Sequence, residues 1–485
     1  MRKKVMLITT PYHSGVVAAA GRWLNLGLLY LAGTLKEGGY EVVYYDAMSF
    51  FNNYEEIRWR LSLEKPDFLA VSAITASYPD ACKVTRVAKE VNPRCITVMG
   101  NVHPTLMWPR VLKENRGCLD FIIRGEGEIT IRELFDCINA GDDPAKVPGL
   151  AFLRKGKPFA TMGRPFITDL DKYKPAWELV SWRDYFYRPK ENSTLAVVSS
   201  SRGCNQRCSF CSQQLFWERS WRARSPEDFV SELKMLRERY SVDVVMLADE
   251  TPTLSRERWI KILKLLKELK LGIDLLMEAR AADIIRDHDL LELYREAGIV
   301  HIYLGVEAVD QQSLDIFCKN QKVEEAKKAL SLLNAHDIIT ETSFVLGLPQ
   351  ETKEHIEKTL ELAKYYNPDM AFFLAIAPWP YGDLYGYLCD YIEEEDYRNY
   401  NLVEPVVRPL AMSRTELKGE LIEATKRFYL HKFQNLASLS SYKQEFLKAV
   451  MKLLMEHSYL ASYLKSAKQN LPEEVKDLLP ISPIP

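Results

Sequence analysis

Two successive runs of strand–helix alternation predict an α/β fold. A parallel sheet covered on both faces should come first, then an open (β/α)6 barrel, then a helical C-terminal region. A compact cysteine group at the start of the second run, Cys204-x-x-x-Cys208-x-x-Cys211, fixes where the chemistry sits. A composition of 47% hydrophobic and 27% charged residues over 485 positions is that of a globular chain with room for two or three cores.

The first run spans residues 1–150, with strands expected at Val5–Thr9, Glu41–Tyr45, Phe68–Ser72, Ile96–Met99 and Phe121–Arg124. Helical periodicity separates them at Leu26–Glu37 and Tyr78–Val91. Ligands of such sheets bind beyond the carboxyl ends of the strands. The turns there are Thr10-Pro11-Tyr12-His13-Ser14-Gly15, Ala73 to Tyr78, Gly100-Asn101-Val102-His103 and Gly125-Glu126-Gly127-Glu128. Their glycines let backbone approach a ligand closely. Residue chemistry alone leaves a cofactor-binding domain and a structural scaffold equally open.

Residues 151–190 carry Pro165, Pro175 and Pro189 and little periodicity, and read as a connector; a strand-like Leu150–Arg154 opens it. Residues 191–390 resume the alternation, with strands expected at Leu195–Ser199, Val244–Leu247, Asp274–Glu278, His301–Leu304, Thr342–Leu346 and Met370–Ala375. Six such units predict an open barrel with its site at the carboxyl ends of the strands. Residues 391–485 show helical patterns at Ser413–His431 and Ser441–Leu464, suited to capping the open side, and a proline-rich end, 479–485, without regular structure. No internal repeat is visible.

The cysteine loop follows the first barrel strand, so every later strand end faces it. Thiolates suit zinc or iron–sulfur clusters. A zinc site needs a fourth ligand nearby, and Cys318 and Cys389 are distant in sequence. Three thiolates on a four-iron cluster leave one iron open to a small molecule.

A formal net charge of -2 gives no general attraction to nucleic acid or membrane surfaces. The opening Met1-Arg2-Lys3-Lys4-Val5 reads as a first strand rather than a signal peptide, and no apolar run approaches roughly 20 residues. Nine cysteines, three of them clustered, indicate metal binding in a reducing cytoplasm rather than disulfides.

The cysteine spacing, with Phe210 before the last cysteine, resembles the signature of the radical S-adenosylmethionine (SAM) enzymes. That resemblance implies a [4Fe-4S] cluster held by Cys204, Cys208 and Cys211, whose open iron chelates SAM. It further implies reductive cleavage to a 5′-deoxyadenosyl radical and a flavodoxin- or ferredoxin-like electron donor. Asp249 or Glu250 would then receive the SAM ammonium group, Arg280 its carboxylate and Glu278 its ribose hydroxyls. Glu307 and Gly347 would flank the adenine, and Tyr381 and Asp383 would touch substrate. Phe216, Trp217 and Trp221 are equally readable as pocket walls or as core.

Placed before such a motif, the first domain resembles the cobalamin-binding module of cobalamin-dependent radical SAM enzymes. The Asp-x-His-x-x-Gly signature of other cobalamin domains is missing, so the axial histidine has no clear equivalent. The resemblance places Thr75, Ala76, Ser77 and Tyr78 beneath the corrin, and Gly100, Asn101, Gly125, Glu126, Gly127 and Glu128 around the nucleotide tail. His13 and His103 are cobalt-ligand candidates, equally readable as solvent- or substrate-facing.

Stretches such as Asp46-Ala47-Met48, Leu247-Ala248-Asp249-Glu250 and Ala377-Pro378-Trp379-Pro380 are similar to the anaerobic magnesium-protoporphyrin IX monomethyl ester cyclase subfamily. Its machinery admits methyl transfer from methylcobalamin to a substrate carbon radical, or oxidative ring closure on a porphyrin. Departures at Asn205-Gln206-Arg207 and Gln214-Leu215 favour a C-methyltransferase, acting on a small molecule or a peptide or protein residue. A non-catalytic cobalamin or iron–sulfur module is the reading from another class.

Overall fold

The computed structural model describes residues 3–12, 20–50 and 52–457. Its first sheet has the strand order β2-β1-β3-β4-β5-β6-β7. The strands are β1 (Lys4–Ile8), β2 (Glu41–Tyr45), β3 (Phe68–Ser72), β4 (Ile96–Gly100), β5 (Phe121–Ile123), β6 (Leu150–Arg154) and β7 (Lys157–Ala160). The first five are parallel, with β1 between β2 and β3. Their apolar runs follow from burial on both faces. Val5 and Leu7 pack under helices Leu26–Glu37 and Glu128–Ala140. Met6 and Ile8 point the other way, into a layer shared with helices Tyr54–Glu64 and Tyr78–Val91. Leu150–Arg154, expected at the head of the connector, pairs antiparallel with β5, so the sheet runs on to Ala160.

The second sheet is all parallel, in the order β8-β11-β12-β13-β14-β15, here read from β8 outward. Its strands are β8 (Leu195–Val198), β11 (Val244–Leu247), β12 (Asp274–Ala279), β13 (Ile299–Glu307), β14 (Ile339–Leu346) and β15 (Met370–Ala375). Each pairs with its predecessor across a crossover helix, as right-handed strand–helix–strand units do. β13 and β14 run longer than their local patterns suggest, since inward residues such as His301 and Glu341 interrupt the apolar run. Helix Arg414–Gln434 packs Phe428 against Phe373 of β15. Helix Ser441–His457 follows; the expected continuation to Leu464 and the proline-rich end lie outside the described residues.

Between β8 and β11 a hairpin carries the cysteine loop: β9 (Ser201–Gly203) pairs antiparallel with β10 (Trp221–Ala223). Gly203 has φ +94°, and a Cβ there would lie 2.2 Å from the Ser220 carbonyl oxygen, so the turn into Cys204 requires glycine. Arg202 and Arg222 of this hairpin reach back to Glu126 and Glu128 of the first domain. The two sheets thereby meet across their carboxyl ends.

Candidate functional site

The cysteine loop is clamped from several sides. Ser209 donates from its backbone N–H to Phe317 O (2.8 Å) and from its hydroxyl to Ile316 O (2.9 Å). The Trp379 indole donates to Phe210 O at 2.9 Å, and Phe210 meets Phe317 edge to face. Cys204, Cys208 and Cys211 line one cavity of about 400 Å³, together with Glu278, Arg280 and Glu307. Burial raises the Cys208 thiol, and that of Cys211 to about 12, so a metal must displace their protons. Among the described residues no three His, Cys, Asp or Glu side chains converge on a single metal ion. A cubane cluster spreads its three thiolates over three irons and needs a wider cradle than zinc, so the donor set fits the cluster.

Around that loop the acidic residues separate into supports and cavity walls. Asp249 is 1% exposed and accepts hydrogen bonds from Ser200 N (2.8 Å), Ser200 Oγ (2.7 Å) and Ser201 Oγ (2.5 Å). Its carboxylate is consumed in holding the chain before the cysteines. Glu250 accepts from Gly203 N (2.9 Å) and the Trp217 indole (2.7 Å) and opens onto the cavity, so of the two expected ammonium partners it is the available one. Glu278 presents its carboxylate into the same space. Enclosure by protein and then the charges of Glu250, Glu341 and Glu307 raise its pKa to about 7. Glu307 takes a salt bridge from Lys319 at 2.7 Å. A Cβ on Gly305 would lie 2.7 Å from both partners of that bridge. Arg280 lines the cavity and forms no ion pair among the described residues, leaving its fork free for a carboxylate. This space, rimmed by carboxylates with one unpaired guanidinium, suits a zwitterion that also carries a sulfonium cation.

Lys319 and Tyr303 also line this cavity and were not singled out from the sequence. Lys319 lies on a turn after helix Gln311–Ile316, away from any strand end. Gly347 lies outside the cavity. Its φ of +99° and its N–H bond to Glu351 (3.0 Å) make it a turn residue there. Asp383 is held by Gln214 at 2.7 Å, and Trp221 donates its indole N–H to Thr251 O at 3.1 Å.

A second cavity, about 290 Å³, lies between the two sheets. Ser72, Gly100, Asn101 and Gly125 to Glu128 form one wall; Arg202, Phe216, Trp217 and Glu250 form the other. Glu250 therefore borders both cavities. Asn101 adopts φ +81°, caps helix Val102–Glu114 and donates to Ser72 Oγ at 2.9 Å. Glycine backbone lines one side of the cavity and the Phe216 and Trp217 side chains the other. Glu126 and Glu128 line it, but their carboxylates are neutralised by Arg202, at 2.8 and 2.7 Å, rather than left for a nucleotide tail.

The residues expected beneath a corrin are arranged otherwise. Thr75, Ala76, Ser77, Tyr78 and His103 are buried, and none of them lines this cavity. Thr75 Oγ1 is 2.9 Å from the Tyr381 hydroxyl and 3.2 Å from His103 Nδ1. His103 stacks on Tyr78, whose hydroxyl donates to Glu114 at 2.7 Å. Burial lowers His103 to a pKa of about 4, keeping the ring neutral, and raises Tyr381 to about 12. Tyr381 thus bonds across the domain boundary instead of lining the cluster cavity. His13 lies outside the described residues.

The pattern described as the Radical SAM superfamily matches residues 198–363, and that described as the B12 binding domain matches residues 12–135. The anaerobic magnesium-protoporphyrin IX monomethyl ester cyclase of Rubrivivax gelatinosus is 39% identical over 434 residues, covering 88% of this chain and 78% of that one. An uncharacterised methyltransferase of Pyrococcus horikoshii is 28% identical over 431 residues, covering 88% and 92%. Among solved structures, the cobalamin-dependent SAM radical enzyme OxsB, with aqua-cobalamin and SAM bound, superposes with a TM-score of 0.72 at 17% identity. The match covers 98% of this chain and 74% of that one.

Proposed function

We propose, from the premise that this chain belongs to the cobalamin-dependent radical SAM enzymes, that it is a C-methyltransferase acting on an unactivated carbon. Its cofactors are a [4Fe-4S] cluster, SAM and cobalamin. When bound, they supply a hydrogen-abstracting 5′-deoxyadenosyl radical and a transferable methyl group.

The observation that carries this reading is the shared wall. Glu250 borders both the cysteine cavity and the cavity between the sheets, so a carbon activated in one is a neighbour of the other. Cys204, Cys208 and Cys211 would hold the cluster. Glu250 binds the SAM ammonium, Arg280 its carboxylate, and Glu278 a ribose hydroxyl. Lys319 pairs with Glu307 beside them at 2.7 Å. Phe216 and Trp217 exclude water from the gap between cavities. Ser72, Gly100, Asn101 and Gly125 support cobalamin through backbone and amide contacts. A flavodoxin- or ferredoxin-like protein supplies the electron, in a reducing cytoplasm. No helix among the described residues is long and apolar enough to cross a membrane.

Oxidative cyclisation of a porphyrin ester is the second reading, favoured by the 39% identity to the Rubrivivax cyclase. Product analysis after anaerobic reconstitution separates the two. Both yield 5′-deoxyadenosine. Methyl transfer adds stoichiometric S-adenosylhomocysteine and one methyl mass on substrate. An oxidised porphyrin with little S-adenosylhomocysteine would replace this reading with the cyclase.

A further inference from the structure

Residues 316–319 are laid along the cysteine loop. Ser209, next to Cys208, donates its backbone N–H to Phe317 O at 2.8 Å and its hydroxyl to Ile316 O at 2.9 Å, and Phe210 meets Phe317 edge to face. Three contacts thus tie the two residues between Cys208 and Cys211 to residues 316–317. Lys319 leaves this segment and enters the wall of the cavity that Cys204, Cys208 and Cys211 also line. There its ammonium meets the Glu307 carboxylate at 2.7 Å.

The pair is a weak source of stability. Its side chains are 14% and 9% exposed, and at such burial the loss of hydration offsets much of the mutual attraction. The backbones that present it are left-handed: Glu307 has φ +65°, and Cys318, just before Lys319, has φ +48°. Non-glycine residues seldom adopt that region, and such strain gathers at functional sites. The β13–β14 register shifts between Gly305 and Glu307. Two strained turns therefore hold a cation and an anion in the cavity wall. Glu307 uses one oxygen for Lys319 and the other for Ser343 Oγ, at 3.2 Å. Lys319 has three N–H donors and, among the described residues, one hydrogen-bond partner, so donors remain for the cavity. Burial raises the Cys208 thiol most; the next effects are those of Lys319, which opposes it, and of Glu307, which adds to it. Cys208 thus feels both charges, with opposite sign.

We propose that Lys319 and Glu307 set the reduction potential of a cluster held by Cys204, Cys208 and Cys211, Lys319 raising it and Glu307 lowering it. This rests on the radical SAM reading and adds how the cysteine site is matched to its electron donor. Reduction here makes and breaks no bond. One electron passes from the flavodoxin- or ferredoxin-like donor, which is oxidised, and adds one negative charge inside the cysteine loop. A fixed cation beside that loop stabilises the added charge and a fixed anion opposes it, which is the net-charge lever on iron–sulfur potentials.

The test is a dye-mediated potentiometric titration of the anaerobically reconstituted protein at pH 8 without SAM, followed by the electron paramagnetic resonance of the reduced cluster. Expected are a midpoint more negative than the parent's in Lys319→Met, more positive in Glu307→Gln, and between those two in the double variant. A midpoint unmoved in either single variant, or moved against its expected sign, would overturn the proposal. SAM is left out because a lysine that only receives the SAM carboxylate shifts no midpoint in its absence, and a purely structural bridge does not give shifts of opposite sign. Iron content is measured for every variant. If Lys319→Met loads no cluster, the Glu307→Gln midpoint decides, a positive shift supporting the proposal and any other result overturning it. A parent protein that binds no iron and shows no iron–sulfur absorbance would sink the radical SAM reading and this proposal with it. A normal cluster with unmoved midpoints would sink this proposal alone.

Discussion

Arg202 Nη1 stands 2.8 Å from Glu126 Oε1 and 2.7 Å from Glu128 Oε1, joining the hairpin before the cysteines to the first sheet. Its guanidinium also lies 4.6 Å from the Tyr30 ring centroid. The arginine side chain is 11% exposed and both glutamates 5%, so this is a buried pair. Removing one partner leaves uncompensated charge. Arg202→Met is expected to cost about 3–5 kcal/mol, read as a lower urea midpoint. Adding Glu128→Gln to it should recover much of the loss, since Glu126 keeps its bridge to Arg222. A single variant as stable as the parent would remove the bridge from the forces that set the two sheets together.

Replacing Cys204, Cys208 and Cys211 together by alanine should abolish bound iron, the visible iron–sulfur absorbance and 5′-deoxyadenosine formation. Cobalamin retention should persist, because its expected wall is built from Ser72, Gly100, Asn101 and Gly125 across the interface. Iron content and the cobalamin spectrum report the two separately. Loss of both cofactors together would mean that the cysteine loop shapes the cobalamin side as well.

The parts of this molecule readable from sequence are those whose chemistry is local. The cysteine spacing lies within one loop, and apolar runs flanked by turns mark strands wherever both faces are buried. The division of labour between Asp249 and Glu250 was not readable, because adjacent residues at a strand end turn opposite ways and only packing reveals which faces the serines. Glu126 and Glu128 looked like ligand-facing groups because their arginine partner lies 76 residues from Glu126, beyond any local pattern. His103, Thr75 and Tyr381 form one network through a pairing 306 residues apart in sequence. His301 and Glu341 read as plain positions in strands. The cavity they both line takes shape only once six strands curve around it.

Asp249 is fully buried and Glu250 half-buried against the cavity, which predicts different phenotypes. Asp249→Asn keeps the shape but loses acceptor strength toward Ser200 and Ser201, and should lower stability by about 1–3 kcal/mol, the cost of leaving buried partners poorly satisfied. SAM affinity of the folded fraction should change little. Glu250→Gln should cost less stability than Asp249→Asn, because its bonds to Gly203 and Trp217 are only part-buried, and weaken SAM binding about tenfold or more, seen by equilibrium dialysis. The reverse pattern would exchange the two roles.

Glu278 gives the last prediction. Its pKa is raised to about 7 from the ordinary 4.5, first by the desolvating walls of the cavity that encloses it and then by Glu250, Glu341 and Glu307, although the side chain itself stays open to that cavity. An acid whose folded pKa is raised binds more protons folded than unfolded, so its contribution to stability is full below about 4.5 and is lost as pH climbs to about 7. The cofactor-free protein should therefore lose stability across that window, and Glu278→Gln should flatten the loss. A bound sulfonium favours the ionised carboxylate, so SAM binding near pH 6.5 should release protons. Calorimetry in buffers of different ionisation enthalpy would count them, with the release diminished in Glu278→Gln. Binding with no proton release in the parent protein would mean that Glu278 is already ionised and that the cluster of carboxylates is better solvated than its enclosure implies.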